Sequence, residues 1–220
     1  MIPANMTALT RFLLAALLTL AFGASAQAHP HVWVKVKSEL IYAPDGTVTG
    51  VRHAWAFDDM FSAFATQGLD QKKKGEFTRE ELAPLAKVNI DSLKENDYFT
   101  FATADGEKTS FVDPRPGEYW LDFKNEVLTL HFVLPFKQSV KARALDVEIY
   151  DPGYFVDFAF IEKSPVALAG APAACKLSVA RPKEMSFADG KKLSESLFND
   201  PAKANSWGAN FANKITVTCP

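Results

Sequence analysis

Two histidines at the start of the mature region are the residues best suited to chemistry. The segment 26–33 reads Ala-Gln-Ala-His-Pro-His-Val-Trp, which places His29 and His31 two residues apart. Imidazole nitrogens are donors that zinc, copper and nickel accept. In a β-strand alternate side chains share a face, so the two Cα atoms would lie about 6–7 Å apart on one side. Both rings could then contact a single metal ion.

The preceding residues predict that His29 becomes the N-terminal residue. An apolar run over 12–22 follows Arg11, and Ala26-Gln-Ala28 is an A-x-A cleavage signal. Cleavage after Ala28 would give His29 a free α-amine beside its ring, whereas cleavage after Ala26 would leave two residues in front of it. Pro30 has no backbone N–H, which excludes a square-planar site built on two backbone amides. The alternative is a disordered polar terminus without a metal.

Further ligands would have to come from elsewhere in the chain. His53 follows the alternation of Val51 and Trp55, a pattern more typical of a core histidine, but its strand is predicted to pair with the one that starts at His29. Asp151 lies in the corner Tyr-Asp-Pro-Gly-Tyr-Phe, which favours a turn in which it bonds its own backbone. We treat His53 and Asp151 as candidate additional ligands and His131 as a weaker one.

Residues 70–81 resemble the outline of a twelve-residue EF-hand calcium loop. Asp70, Gly75 and Glu81 stand at the first, sixth and twelfth positions. Lys72 and Lys74 occupy the third and fifth positions, where oxygen ligands are needed and ammonium groups repel a cation. The pattern predicts either a degenerate EF-hand or a charged helix-loop-helix, and in both cases it disfavours calcium.

Short strands with tight turns dominate the remaining sequence. They predict an α+β fold, mainly an antiparallel sheet or sandwich, with the helix-loop-helix inserted at 58–96 after the first hairpin. The predicted organisation is a signal peptide over 1–28, a main β-rich domain over 29–164 and a C-terminal extension over 165–220. The Ala/Pro/Gly-rich stretch 165–174 is expected to be a linker or loop.

Composition predicts the compartment and limits the partners. Cys175 and Cys219 are expected to form a disulfide, which is the default in an oxidising compartment. A cysteine metal site is less expected, because no histidine lies near either cysteine in the sequence. The apolar run at 12–22 is too short for a membrane span of about 20 residues, so we expect an exported, periplasmic protein without membrane insertion. The signal holds one of 24 basic residues and none of 26 acidic ones. The resulting mature charge of −3 gives no electrostatic case for nucleic acid.

Three segments together resemble a known family. The opening His-Pro-His-Val-Trp-Val, the stretch 55–62 (Trp-Ala-Phe-Asp-Asp-Met-Phe-Ser) and the corner 150–155 are similar to the bacterial domain-of-unknown-function family 1007. The resemblance covers about 29–162. It implies an exported protein encoded beside nickel/cobalt-type exporters or zinc-linked transport systems, with His29 and His31 as the metal-handling feature. Many members carry an acidic residue shortly after this opening, where the present chain has Lys35 and Lys37.

These observations predict a periplasmic accessory protein that hands a divalent transition metal to or from an inner-membrane transporter or exporter. The donors suit zinc, nickel or copper and do not distinguish among them. Two alternatives remain: a solute-binding component of an ABC-type transport system, which usually has two α/β lobes, or a structural adaptor of a transporter without its own metal. No nucleophile-elbow, zinc-protease, P-loop or dinucleotide motif occurs, so an enzyme is not expected.

Overall fold

The computed structural model describes residues 30–182, 185–199 and 207–220. The strands of this part of the chain are β1 Val32–Tyr42, β2 Val48–Phe57, β3 Thr100–Ala104, β4 Glu107–Thr109, β5 Tyr119–Lys124, β6 Val127–Val140, β7 Ala144–Ile149, β8 Val156–Phe160, β9 Val166–Ala169, β10 Lys176–Ala180 and β11 Asn213–Thr218. The α-helices are α1 Asp59–Thr66, α2 Arg79–Lys94 and α3 Phe187–Asn199. Short 3₁₀ turns lie at Asp97–Phe99 and Trp207–Phe211.

The strands form two sheets that share one hydrophobic core. The first sheet has the order β5-β6-β2-β1-β8, with β9 also paired to β1, and the second has the order β10-β11-β7-β3-β4. All pairs are antiparallel except those of β8 and β9 with β1, which are parallel. The predicted β-rich α+β class with mainly antiparallel sheets is therefore confirmed.

Alternation of side chains along β1 determines which face enters the core. Val34, Val36 and Leu40 are at most 1% exposed, whereas Lys35 and Lys37 point outward. This is the period-two pattern of a strand with one buried face. At the far end of β1 the Asp45 carboxylate accepts hydrogen bonds from Thr47 and closes the turn into β2.

Helices α1 and α2 follow β2 where the insertion was expected. Asp58 caps α1 by accepting a hydrogen bond from the Phe61 backbone N–H. Thr78 and Glu81 form a capping box at the start of α2. The Glu81 carboxylate also accepts a hydrogen bond from the Lys72 backbone N–H in the loop before the helix, so both of its oxygens contact backbone N–H groups. The helices are present, and the likeness to an EF-hand remains a prediction.

The C-terminal part of the chain completes both sheets. Cys175 and Cys219 form the predicted disulfide, which joins the start of β10 to the end of β11. β9 lies inside the stretch that was expected to be a linker; that expectation was wrong, because Val166–Ala169 pairs with the edge of β1 beyond β8. Asn213 of β11 accepts a hydrogen bond from the Phe160 N–H and donates one to the Phe158 carbonyl, which links the two sheets.

Candidate functional site

The head of β1, meaning the chain entering this strand, carries one of the two predicted histidine ligands. His31 immediately precedes β1, with an exposed side chain, whereas His29 and the predicted signal peptide lie outside the described residues. The His31 N–H donates to the Phe155 carbonyl at 2.9 Å, and the two rings are 4.5 Å apart between centroids. The backbone at His31 is therefore held against the segment that leads into β8.

A second set of contacts fixes the head of β1 from the opposite side. The Trp33 N–H donates to the Asp58 carboxylate at 2.8 Å, and the Asp58 N–H donates back to the Trp33 carbonyl at 3.0 Å. The same carboxylate caps α1, so the start of this helix and the head of β1 share one anchor. His31 consequently projects from a backbone that is fixed by two neighbouring elements.

Parallel pairing of β1 and β8 places a carboxylate on the same outward face as His31. The register pairs Trp33 with Asp157, and alternation puts His31, Trp33 and Asp157 on the side of the sheet opposite the core. Asp157 is half-buried and forms a hydrogen bond with the Tyr154 hydroxyl. Burial raises the pKa of Asp157, and the hydroxyl and the nearby Lys35 ammonium partly oppose that rise.

Asp151, a predicted candidate ligand, has a structural task in the same region. It is 7% exposed, and its two oxygens accept hydrogen bonds from the backbone N–H groups of Gly153, Phe155 and Val156 at 2.8–2.9 Å. This is the turn role that the sequence favours. The Asp151 carboxylate accepts a hydrogen bond from the Phe155 N–H, and Phe155 in turn contacts His31. Both Asp151 oxygens nevertheless bond the backbone of the corner that Asp151 itself forms.

His53, the other predicted candidate ligand, is not brought to the head of β1. The register pairs it with Ser38, seven residues along β1 from His31, which corresponds to about 23 Å. Its ring is fully buried, with Nδ1 2.9 Å from the Ser38 hydroxyl and Nε2 3.4 Å from the Thr100 hydroxyl. Burial lowers the pKa of His53 to about 3. Its position is that of a core histidine, as the alternation of apolar neighbours suggested.

His131 also lies away from the head of β1. It stands on the outward face of β6, where Nε2 is 3.0 Å from an Asp122 oxygen and the ring stacks on Trp120. Within residues 30–182, 185–199 and 207–220, no group of three or more His, Cys, Asp or Glu side chains is arranged to hold a metal ion. A complete site at the head of β1 would therefore need a donor from outside this part of the chain, and His29 is the nearest such residue in sequence.

Exposed apolar side chains lie at the head of β1 and on the neighbouring helix α1. Trp33 and Phe155 are 45% and 49% exposed, and Met60 and Phe64, one turn apart on α1, are 76% and 74% exposed. We call these four residues the apolar end. Phe155 contacts His31, and Trp33 follows His31 by two residues. Met60 and Phe64 lie on α1, whose cap Asp58 is hydrogen-bonded to Trp33 and whose Ser62 is hydrogen-bonded to Leu128 of β6. Two of the four residues, Trp33 and Phe155, lie beside His31.

The fold and the disulfide define the general class of this protein. The chain is a β-rich protein with two sheets that share a core, and its disulfide agrees with export to an oxidising compartment. Among the described helices, none has the length and apolar character required to span a membrane.

Comparison with known proteins identifies the family. The family described as "Protein of unknown function (DUF1007)" matches residues 14–219, and the chain belongs to it. The chain is also similar to an uncharacterized protein of Haemophilus influenzae, with 25% identity over 207 residues that cover 92% of this chain and 95% of that protein. An uncharacterized 15.5 kDa protein in the trpE 3' region of Spirochaeta aurantia is 31% identical over 100 residues, or 45% of this chain and 70% of that protein.

Proposed function

We propose that this chain is a periplasmic accessory protein that binds a divalent transition metal at the head of β1. In this proposal it passes the metal to or from an inner-membrane transporter. The observation that carries the proposal is the placement of His31. Its side chain is exposed while its backbone is held by Phe155 on one side and, through Trp33, by Asp58 on the other.

The proposed donors are His31, the His29 ring and the α-amine that cleavage after Ala28 would create. Three nitrogen donors suit zinc, nickel or copper. A binding site gains affinity when its ligands are positioned before the metal arrives. The two anchors at the head of β1 support such preorganisation, because the backbone two residues after His29 is already fixed.

The apolar end supports a membrane transporter as the partner. Isolated apolar side chains are normal on a protein surface, whereas groups of them mark interaction sites. Trp33 and Phe155 lie beside His31, and Met60 and Phe64 lie on α1, which begins at the Asp58 anchor. A transporter that docks there would meet the metal and the apolar contact together. A structural adaptor without a metal would use the same apolar end, so metal binding separates the two functions.

Calorimetric titration with zinc, nickel and copper tests the proposal. The protein should be exported and processed in cells, and intact mass should establish that it begins at His29. We expect one metal per chain with micromolar or tighter affinity, and loss of this binding in the double variant His29→Ala/His31→Ala. His131→Ala is the matched control, because this histidine lies on the outward face of β6 away from the site. Failure of the wild-type protein to bind any of the three metals would refute the metal function.

A further inference from the structure

We infer that Asp157 supplies the carboxylate ligand of the metal site at the head of β1. This inference rests on the proposed function and names a residue that completes the site. It also replaces Asp151, the carboxylate that we treated as a candidate ligand from the sequence.

The register of β1 and β8 provides the geometry. His31 is held beside Phe155, and Asp157 is the next residue of β8 on the same face. Residues offset by two positions on neighbouring parallel strands have Cα atoms about 8 Å apart. Zinc lies about 2 Å from both histidine nitrogens and carboxylate oxygens. An imidazole and a carboxylate projecting from such a pair of positions can therefore meet at one ion.

Contacts of the two carboxylates distinguish Asp157 from Asp151. Both oxygens of Asp151 are occupied by three backbone N–H groups, and coordination of a metal would compete with the hydrogen bonds that form the corner. Asp157 has the Tyr154 hydroxyl as its hydrogen-bond partner, which leaves acceptor positions on its oxygens. A half-buried carboxylate gains from a cation partner, and a divalent metal would provide one.

Lys35 is the charge that opposes this site. It lies on the same outward face, paired with Ala159 two residues beyond Asp157, and its ammonium group interacts with the Asp157 carboxylate. A bound divalent cation would share that carboxylate with Lys35, and the two positive charges would repel each other. Removal of the Lys35 charge should therefore strengthen metal binding, which is the opposite of the effect expected at Asp157.

Zinc titration of matched variants tests the inference. Asp157→Asn keeps the size of the side chain and removes its charge, and we expect zinc affinity to fall at least about tenfold. Asp122→Asn, a carboxylate on the outward face of β5, should bind zinc like the wild type. Lys35→Gln should bind zinc several-fold more tightly, whereas Lys37→Gln, two residues further along the same face, should be unchanged.

The outcomes separate the inference from the function on which it rests. If the wild type binds no zinc, or if His29→Ala/His31→Ala keeps full affinity, the proposed metal site itself fails. If the histidine variant loses binding but Asp157→Asn binds like the wild type, only the role of Asp157 is overturned. Circular dichroism checks the folding of each variant. Should Asp157→Asn not fold, unchanged affinity of Lys35→Gln would overturn the inference, and tighter binding with unaltered Lys37→Gln would support it.

Discussion

The buried histidine His53 should make the stability of this protein depend on pH. Its ring lies between Trp55 and Phe132, with its two nitrogens facing the hydroxyls of Ser38 and Thr100. Burial lowers its pKa from 6.5 to about 3 in the folded state. The unfolded chain therefore binds a proton first as the pH falls. The stability associated with neutral His53 is complete above about pH 6.5 and is lost progressively toward pH 3.

The size of this effect follows from the two pKa values. Between them, each pH unit removes about 1.4 kcal/mol from the free energy of unfolding. At pH 5 the loss relative to pH 8 is therefore about 2 kcal/mol. For a chain of this size the melting temperature would fall by about 4–8 °C from this one residue.

Urea unfolding of the wild type and His53→Gln at pH 8, 7, 6 and 5 measures the effect. Glutamine keeps a polar group that can bond Ser38 but does not titrate. The other three histidines, His29, His31 and His131, and all the carboxylates, including Asp157 with its raised pKa, are common to both proteins. The difference in unfolding free energy between them therefore isolates His53, and we expect it to shrink by about 2 kcal/mol from pH 8 to pH 5. A difference that stays constant over this range would refute the reasoning.

Three further variants test how the fold is stabilised. Replacement of both Cys175 and Cys219 by serine should lower the free energy of unfolding by about 4 kcal/mol, because the disulfide spans 44 residues. Denaturation with and without reductant checks this, and an unchanged midpoint would contradict it. Glu126→Gly should raise the free energy of unfolding by about 0.5–1 kcal/mol. Glu126 has φ 63° in the two-residue turn between β5 and β6, a conformation that favours glycine. A lower melting temperature of the variant would argue against this. Asn213→Ala should lower the free energy of unfolding, measured with urea, by about 2–4 kcal/mol, because it leaves buried β8 backbone groups without hydrogen-bond partners. A loss below about 0.5 kcal/mol would show that these groups find other partners.

Features set by neighbouring residues were predictable from the sequence. The two faces of β1, the cap at Asp58, the capping box at Thr78 and Glu81 and the disulfide partner of Cys175 each follow from a short pattern or from a count of two cysteines. These patterns act within a turn or a strand, where spacing alone determines which groups meet.

Features set by the pairing of distant strands were not predictable. β8 lies beside β1 in parallel register although more than 110 residues separate them, and no local pattern encodes that choice. The register decides that Asp157 faces outward near His31 and that Asp151 forms the corner before it. It also turns Val166–Ala169, which reads as a loop, into a strand at the edge of β1. His53 combines both kinds of feature. The alternation of its apolar neighbours indicated that it is buried, but its distance from the head of β1 depends on the register of β1 and β2.

The position of β1 within its sheet explains how an N-terminal site could be ordered. Chain ends are usually disordered unless neighbouring structure holds them. Here β1 is an interior strand, with β2 on one side and β8 and β9 on the other. Ordering His29 and Pro30 ahead of such a strand would cost about 2–4 kcal/mol, which is less than the roughly 8 kcal/mol of a micromolar site. The entry of β1 into the middle of the sheet therefore makes the processed terminus a feasible donor. A chain that keeps one extra residue before His29 would have a peptide nitrogen in place of the His29 α-amine. It should therefore retain the fold but bind metal more weakly.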